Sequence, residues 1–187
     1  MIIRPAVVSD AQEIRRMSLE LTINRDSNSR SGFVEYKTST IEALEERISG
    51  NPFFLTAEED GALVGFFSNF TSKDLGRLDF QDDEIAQYML TKPSPFIYGE
   101  QLASTKRGFG VKLLEYFLSV VEQTNFGTLW GSVSHKPYRN QILINGITKR
   151  GYELTEEISV YDGLIFGIYK KELQLPVPNL NPNRCEN

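Results

Sequence analysis

The sequence predicts a single domain of the α+β class, with mixed α/β order. Three observations carry that prediction. Apolar runs of strand length are bounded by turn residues, apolar residues recur at helical spacing between those runs, and no repeat or linker divides the 187 residues. In order, the elements read β-αα-β-β-β-α-β-α-β-β. A chain of this length buries roughly two-thirds of the surface that its unfolded form exposes, so its core needs no disulfide or metal staple.

Residues 1–4 form a short strand, followed by a helix N-capped by Asp10, with Glu13 closing a capping box and Ile14, Met17 and Leu21 in one buried stripe. After the polar stretch TINRDSNSRSGF, a second helix starts at Ser39 or Thr40, carries Ile41, Leu44 and Ile48 on one face, and stops near Gly50-Asn51-Pro52. Apolar runs at 53–57 and 62–70 flank Glu59-Asp60-Gly61, and Asp-Gly between two such runs signals a hairpin. The stretch 71–95 is polar and acidic, is broken by Gly76, Pro93 and Pro95, and reads as a long excursion with one short helix around 84–90. Strand character returns in FIYGEQLAS, and a helix is expected over 108–123. FGTLWGSVS is the fifth strand, with Phe126 and Trp130 in the core. NQILINGITKR is a helix ending at Gly151, and YELTEEI and YDGLIFGIYKKEL are two closing strands. The domain is expected to span 1–173, and the Pro/Asn-rich QLPVPNLNPNRCEN, 174–187, to be an extended tail.

Composition narrows the function classes. An apolar fraction of 40% with 24% charged residues is that of a soluble globular chain, and no run of about 18 apolar residues suggests a membrane span. The opening MIIRPAVVSD lacks the cationic flank and long apolar stretch of a secretory signal, so a cytoplasmic protein is expected. A net charge of −5 argues against a nucleic-acid surface while leaving room for a local basic pocket. The lone cysteine, Cys185, excludes an internal disulfide and argues against a structural zinc site, so no metal is expected.

Between the fourth strand and its helix stands Lys106-Arg107-Gly108-Phe109-Gly110. A nucleotide-triphosphatase loop needs Lys-Ser/Thr after its last glycine, and Val111-Lys112-Leu113 follows here. A dinucleotide fingerprint needs a third glycine where Leu113 stands. Two readings remain open. The glycines either make a tight strand-to-helix turn, or bare the backbone N–H groups of a helix N-terminus to a pyrophosphate, with Lys106, Arg107 and Lys112 adding positive charge.

Element order, the place of this loop and the helix behind it resemble the GNAT superfamily of acyl-CoA-dependent N-acyltransferases. The family loop Arg/Gln-x-x-Gly-x-Gly/Ala is matched by Thr105-Lys106-Arg107-Gly108-Phe109-Gly110 through its two glycines, with Thr105 in place of the leading Arg or Gln. The family's second signature, an Asn followed eleven residues later by Gly-Phe, is matched by Asn140 and Gly151-Tyr152. The resemblance runs from Met1 to about Leu173. It implies a central, mostly antiparallel sheet whose strands 4 and 5 are parallel and splayed, flanked by helices. It also implies an acetyl-CoA-dependent N-acetyltransferase acting on a primary amine of a small molecule or peptide, without nucleic acid, membrane or metal, and is compatible with a homodimer. The rival it leaves open is a GNAT-like module that binds acyl-CoA without turnover.

By that resemblance, backbone from Lys106 through Arg107, Gly108, Phe109 and Gly110 to Val111 would take the pyrophosphate. Leu102 and Ala103 would lie beside the pantetheine arm, and Asn140 would hydrogen-bond it. Asn140 also reads as a plain helix N-cap, and both readings can hold. An acceptor ammonium near pKa 10.4 must lose a proton before it attacks a thioester, and Glu100 among apolar neighbours is the candidate base. A carboxylate paired with a nearby cation is the equal alternative for Glu100. Gln101 is expected to satisfy a hydrogen bond, and the N–H near Leu102 to polarise the acetyl carbonyl. Tyr98 shares a strand face with Glu100 and is the second catalytic candidate, against a reading as core. The family's tyrosine seven residues after the Asn is replaced by Ile147, so no general acid stands at that place. His135, the only histidine, is expected in a solvent-facing loop. The acceptor would be met by 24–36 and 71–95, where Asp74, Asp79, Asp82, Asp83 and Glu84 favour a cation.

Overall fold

The computed structural model describes residues 1–23, 33–34, 39–78 and 80–174. The tail with Cys185, Asp79, and all of 24–36 but Phe33 and Val34 lie outside the described residues.

The elements are β1 (Ile2–Pro5), α1 (Ala11–Leu21), α2 (Ile41–Ile48), β2 (Leu55–Glu59), β3 (Ala62–Thr71), α3 (Ser72–Arg77), α4 (Glu84–Met89), β4 (Phe96–Ser104), α5 (Phe109–Val121), β5 (Thr128–Lys136), α6 (Gln141–Thr148), β6 (Glu153–Val160) and β7 (Leu164–Glu172). These strands form one sheet in the order β1-β2-β3-β4-β5-β7-β6. Only the β4–β5 pair is parallel; every other neighbour pair in that sheet is antiparallel. A separate two-residue parallel pairing joins Thr22–Ile23 to Phe33–Val34.

Strand alternation splits the core in two. Phe66, Phe70, Tyr98 and Trp130 face α1 and α2, where they meet Ile14, Met17, Leu44 and Ile48. The alternate residues Phe67, Ile97, Leu129 and Tyr169 face α5 and α6, where they meet Leu113, Leu114, Phe117, Val121, Ile144 and Ile147. Each fully buried phenylalanine contributes about 2–3 kcal/mol of apolar transfer. The successive pair Phe66-Phe67 therefore anchors both layers from one strand.

Local signals explain most boundaries. Asp60 (φ 53°) and Gly61 (φ 78°) turn the β2–β3 hairpin with two positive φ values, as a two-residue loop with the strands' twist requires. Thr40 caps α2 by accepting the Ala43 N–H at 3.2 Å. The expected capping box at α1 is not formed. A 3-10 turn, Val8–Asp10, precedes the helix, and the Asp10 carboxylate accepts instead from Arg4 at 2.8 and 3.0 Å and from the Val7 N–H. Glu13 pairs with Arg16. A charge-assisted pair is the stronger hydrogen bond, and Arg4 on the adjacent strand outcompetes the helix end. The excursion holds two helices rather than one. α3 was signalled by Thr71 and Asp74, which form a reciprocal capping box.

His135 corrects another expectation. β5 runs to Lys136, so His135 lies in the sheet, only 7% exposed, with Nδ1 2.5 Å from Glu157 and Nε2 3.0 Å from the Tyr169 hydroxyl. The sheet accommodates the ring because Gly167 opposite has no side chain; a Cβ there would sit 2.4 Å from the imidazole.

Candidate functional site

β4 and β5 are paired only from Phe96↔Thr128 to Gly99↔Gly131. β4 continues to Ser104 and β5 to Lys136, so the two parallel strands separate beyond the glycine pair. A bulge on the other flank of β4 assists the separation. The β3–β4 register shifts at Ser68/Asn69, leaving Glu100 as the extra residue, and a bulge bends and twists the strand that carries it. Buried asparagines hold that bulge. Asn69 donates to the Phe53 carbonyl, while Asn51 donates to the Asn69 carbonyl and accepts from Phe53 N–H, each at 2.9–3.0 Å.

The separated strands bound a cleft of about 440 Å³, a size common for small-molecule sites. Glu100, Leu102, Ala103, Lys106, Arg107, Gly108, Gly110, Val111 and Asn140 line it, so nine of the residues singled out by sequence come together. Tyr98 and Phe109 are not among the lining residues. The Phe109 side chain is core under α5, and its N–H donates to the Lys106 carbonyl at 3.3 Å, which leaves it no free donor for a ligand.

The glycine loop forms the cleft's outer end. Gly108, in the left-handed region at φ +87°, is the N-cap of α5. Ser104 Oγ donates to the Lys106 carbonyl at 2.9 Å and tightens the turn. Among the hydrogen bonds of the described residues, none uses the N–H of Gly110 or Val111, the unsatisfied donors of a helix start. A Cβ at Gly108 would meet nothing within 4 Å, and one at Gly110 only Ser104 Oγ at 3.8 Å and Leu102 at 3.9 Å. The glycines thus face open space rather than packed protein. The cations are used unevenly. Lys106 is ion-paired with Glu59 on β2, Lys112 lies over the Phe109 ring at 5.2 Å, and Arg107 has no acidic partner among the described residues.

Asn140 sits on the opposite wall. It caps α6, its Oδ1 accepting the Leu143 N–H at 3.1 Å, and it also lines the cleft. Its side-chain amide N–H groups have no partner among the described residues, so capping leaves them open to the cleft.

The inner end is charged and buried. Glu100 accepts from Arg47 of α2 at 3.2 Å and from Ser68 Oγ at 2.9 Å, with side-chain exposures of 13% for Arg47 and 6% for Glu100. Burial pushes the Glu100 carboxyl above its ordinary range, the Arg47 charge pulls it down, the Asp83 charge pushes it up again, and the Ser68 hydrogen bond lowers it; the net shift is upward. The reading of Glu100 as a carboxylate paired with a nearby cation is thus met by Arg47, and the pairing leaves its acidity weakened by burial. Ser68 also accepts the Gln101 N–H at 3.0 Å. The Gln101 side chain, expected to satisfy a hydrogen bond, has no partner among the described residues and lines the cleft. Tyr98 is buried, and its hydroxyl lies 2.9 Å from Ser132 Oγ, which does line the cleft.

Arg47 and Ser68 escaped the sequence reading. Each lies more than thirty residues from Glu100, and only the sheet and the α2 contact bring them to it. Arg47 stacks over the Phe80 ring at 4.1 Å, which fixes the guanidinium. Within the acidic excursion, Asp74 closes the capping box of α3, and Asp83 caps α4 while accepting from the Tyr161 hydroxyl at 2.6 Å.

No family model and no curated protein matches the sequence. Solved structures do match in fold. A putative acetyltransferase, yncA, from Salmonella typhimurium, solved with its cofactor acetyl-CoA, aligns over 95% of this chain and 96% of its own, with a TM-score of 0.64 at 15% identity. A ribosomal-protein-alanine N-acetyltransferase from Brucella melitensis covers 92% of this chain and 100% of its own, with a TM-score of 0.63 at 16% identity. Arabidopsis thaliana Naa50, in complex with the bisubstrate analogue CoA-Ac-MVNAL, covers 91% and 97%, with a TM-score of 0.60 at 13% identity. The chain has the fold of the GNAT acetyltransferases.

Proposed function

We propose that this protein is an acetyl-CoA-dependent N-acetyltransferase that moves an acetyl group to a primary amine of a small molecule or peptide. The observation that carries the reading is the parting of the parallel strands at Gly99 and Gly131, which opens a cleft running from the free N–H groups of Gly110 and Val111 to the buried Glu100 carboxyl. One end suits a pyrophosphate and the other a proton transfer. The fold neighbour solved with acetyl-CoA and the one solved with a CoA-peptide bisubstrate analogue support the same co-substrate and an amine acceptor.

In this reading the pyrophosphate lies on the α5 N-terminus, where bare backbone donors and the helix dipole favour an anion, and Arg107 supplies charge. The pantetheine arm lies along Leu102 and Ala103, taking the place of the missing β4–β5 ladder, with the Asn140 amide facing it. Deprotonating an alkylammonium of pKa 10.4 at pH 7 costs roughly 4 to 5 kcal/mol. Glu100, raised by burial, is suited to accept that proton, and the N–H beside Leu102 to polarise the carbonyl under attack. Tyr98, held away from the cleft lining, acts through its bond to Ser132 and serves to position rather than to transfer protons.

The test is calorimetric titration with acetyl-CoA, followed by thiol release over a panel of primary amines. Micromolar binding with amine-dependent thiol release is expected. Binding without turnover of any amine would favour the second reading, a non-catalytic acyl-CoA module, for which Ile147 and the Arg47–Glu100 pair speak. Absence of binding would overturn both.

A further inference from the structure

The cleft passes through the sheet, and its two faces differ in chemistry. Leu114 belongs to the α5–α6 core, with Leu102 and Leu143 packed against it, while Ala103 and Phe166 belong to the α1–α2 core, with Leu21 packed against that. All six line the cleft. The N-terminus of α5, with its open N–H groups, stands on the first face, and Glu100, bonded to Arg47 of α2, on the second. A co-substrate that reaches in from α5 therefore meets its acceptor on the α1–α2 face.

On that face the wall is apolar and fixed. Leu21 ends α1, and Phe166 of β7 stands opposite Ser134 of β5 in register, so it borders the strand gap. The Tyr161 ring meets Phe166 edge-on, with centroids 6.3 Å apart. Tyr161 is itself held, its hydroxyl donating to Asp83 at 2.6 Å and its N–H to Glu84 at 3.1 Å. The tip of the β6–β7 hairpin is thus fastened to α4, and Phe166 is backed by it.

The polar groups of this face are neutral apart from one ion pair. Gln101, Ser132 and Ser134 line it with an amide and two hydroxyls, and the Glu100 carboxylate is already answered by Arg47. Of the described carboxylates of the acidic excursion, Asp74, Asp82, Asp83 and Glu84, none lines the cleft. An acceptor ammonium gives up its charge as a proton before it attacks. A second charge on the same molecule would leave water and find no counter-ion here, whereas apolar surface laid against Leu21 and Phe166 gains by leaving water. We infer that the acceptor is a primary amine on an apolar, otherwise uncharged body, seated between Leu21 and Phe166, with the unpartnered Gln101 amide facing any neutral polar group that it carries. The inference rests on the acetyltransferase reading above and narrows its acceptor.

The experiment measures thiol release at saturating acetyl-CoA with two apolar amines, isoamylamine and phenethylamine, and with putrescine and γ-aminobutyrate, which carry a second charge of either sign. Wild type is expected to favour the apolar amines in kcat/KM on the order of 10- to 100-fold. Leu21→Asp puts a carboxylate on the wall at a half-buried position, and is expected to raise the kcat/KM of putrescine relative to isoamylamine on the order of 10-fold. The wild-type comparison decides by itself if that variant does not fold. Putrescine or γ-aminobutyrate used as well as the apolar amines by wild type overturns this inference and leaves the acetyltransferase reading standing. Wild-type ratios in folded Leu21→Asp do the same. Thiol release with none of these amines, but with others of a broad panel, also overturns this inference alone, and thiol release with no amine at all overturns both.

Discussion

Arg47 and Glu100 meet at 3.2 Å although 53 residues separate them, and they do so at the one point where β4 bulges away from β3. The pair is buried, so its two charges matter more than an exposed pair would. It nevertheless fails to hold Glu100 at an ordinary acidity, because desolvation outweighs the Arg47 charge and Asp83 opposes it. A carboxylate tethered in this way is oriented without being spent.

The first consequence is kinetic. Replacing Glu100 by Gln removes the proton acceptor while keeping size and hydrogen-bonding shape. The rate toward primary amines is expected to fall at neutral pH and to recover toward wild type at high pH, where the amine is already partly deprotonated. Thiol release measured across that range checks this; a loss of equal size at every pH would make Glu100 a structural carboxylate.

The second is thermodynamic. With its folded pKa raised above the unfolded value, Glu100 favours the folded state below the unfolded pKa, and that contribution is lost as pH rises through the folded pKa. Wild-type stability should therefore decline relative to Glu100→Gln as pH rises above the ordinary glutamate range. Urea midpoints of both proteins at pH 5 and pH 8 test the sign, and a difference that grows in favour of wild type at pH 8 would contradict it.

At the other end of the cleft, Gly110→Glu should fold, since a Cβ there meets only ordinary contacts at 3.8 and 3.9 Å. Its carboxylate would occupy the space before the α5 N–H groups and repel a phosphate. Acetyl-CoA binding is expected to be lost by calorimetry while circular dichroism stays that of the parent. Unchanged affinity in the folded variant would remove the pyrophosphate from this loop.

What the sequence made legible, and what it did not, follows the range of the interactions. Asp60-Gly61, Gly108, Asn140 and Gly151 are turn or cap residues whose neighbours within a few positions decide their conformation, and each does what its local context predicts. The separation of β4 and β5 rests on the paired glycines 99 and 131, visible as letters but without meaning until the parallel register brings them opposite. The Lys106–Glu59 ion pair was not legible because Glu59 lies 47 residues earlier and only the sheet brings the two together. His135 read as a loop residue because Ser-His-Lys-Pro looks polar. Its burial depends on Gly167, Glu157 and Tyr169, all supplied by the last two strands.

That dependence yields a fourth expectation. A Cβ at position 167 would lie 2.4 Å from the His135 ring and 3.0 Å from the Tyr169 ring. Gly167→Ala must therefore expel the imidazole or bend β7, and overpacking of this kind costs typically 1–3 kcal/mol. Chemical denaturation should show a loss of that order. His135→Ala in the same background should restore part of it by clearing the space, and an additive double variant would show that the clash is not with the imidazole.

Arg47 and Asp83 act on Glu100 with opposite sign, which permits a paired test of its role as base. Arg47→Met keeps the stem over Phe80 but removes the charge that pulls Glu100 down, so the acid limb of the kcat profile should move to higher pH. Breaking a buried pair also destabilises, by about 3–5 kcal/mol where both partners are fully desolvated, and this loss should shrink as acid protonates Glu100. Asp83→Asn removes the charge that pushes Glu100 up. Asparagine can still accept the Ala86 N–H as an N-cap, so α4 should survive and the acid limb should move to lower pH. Raising the salt concentration should reduce the Asp83 effect more than the Arg47 effect, because the aspartate is the more distant, solvent-screened charge whereas Arg47 is in contact. If both variants shift the limb in the same direction, or neither moves it, the group that titrates in catalysis is not Glu100.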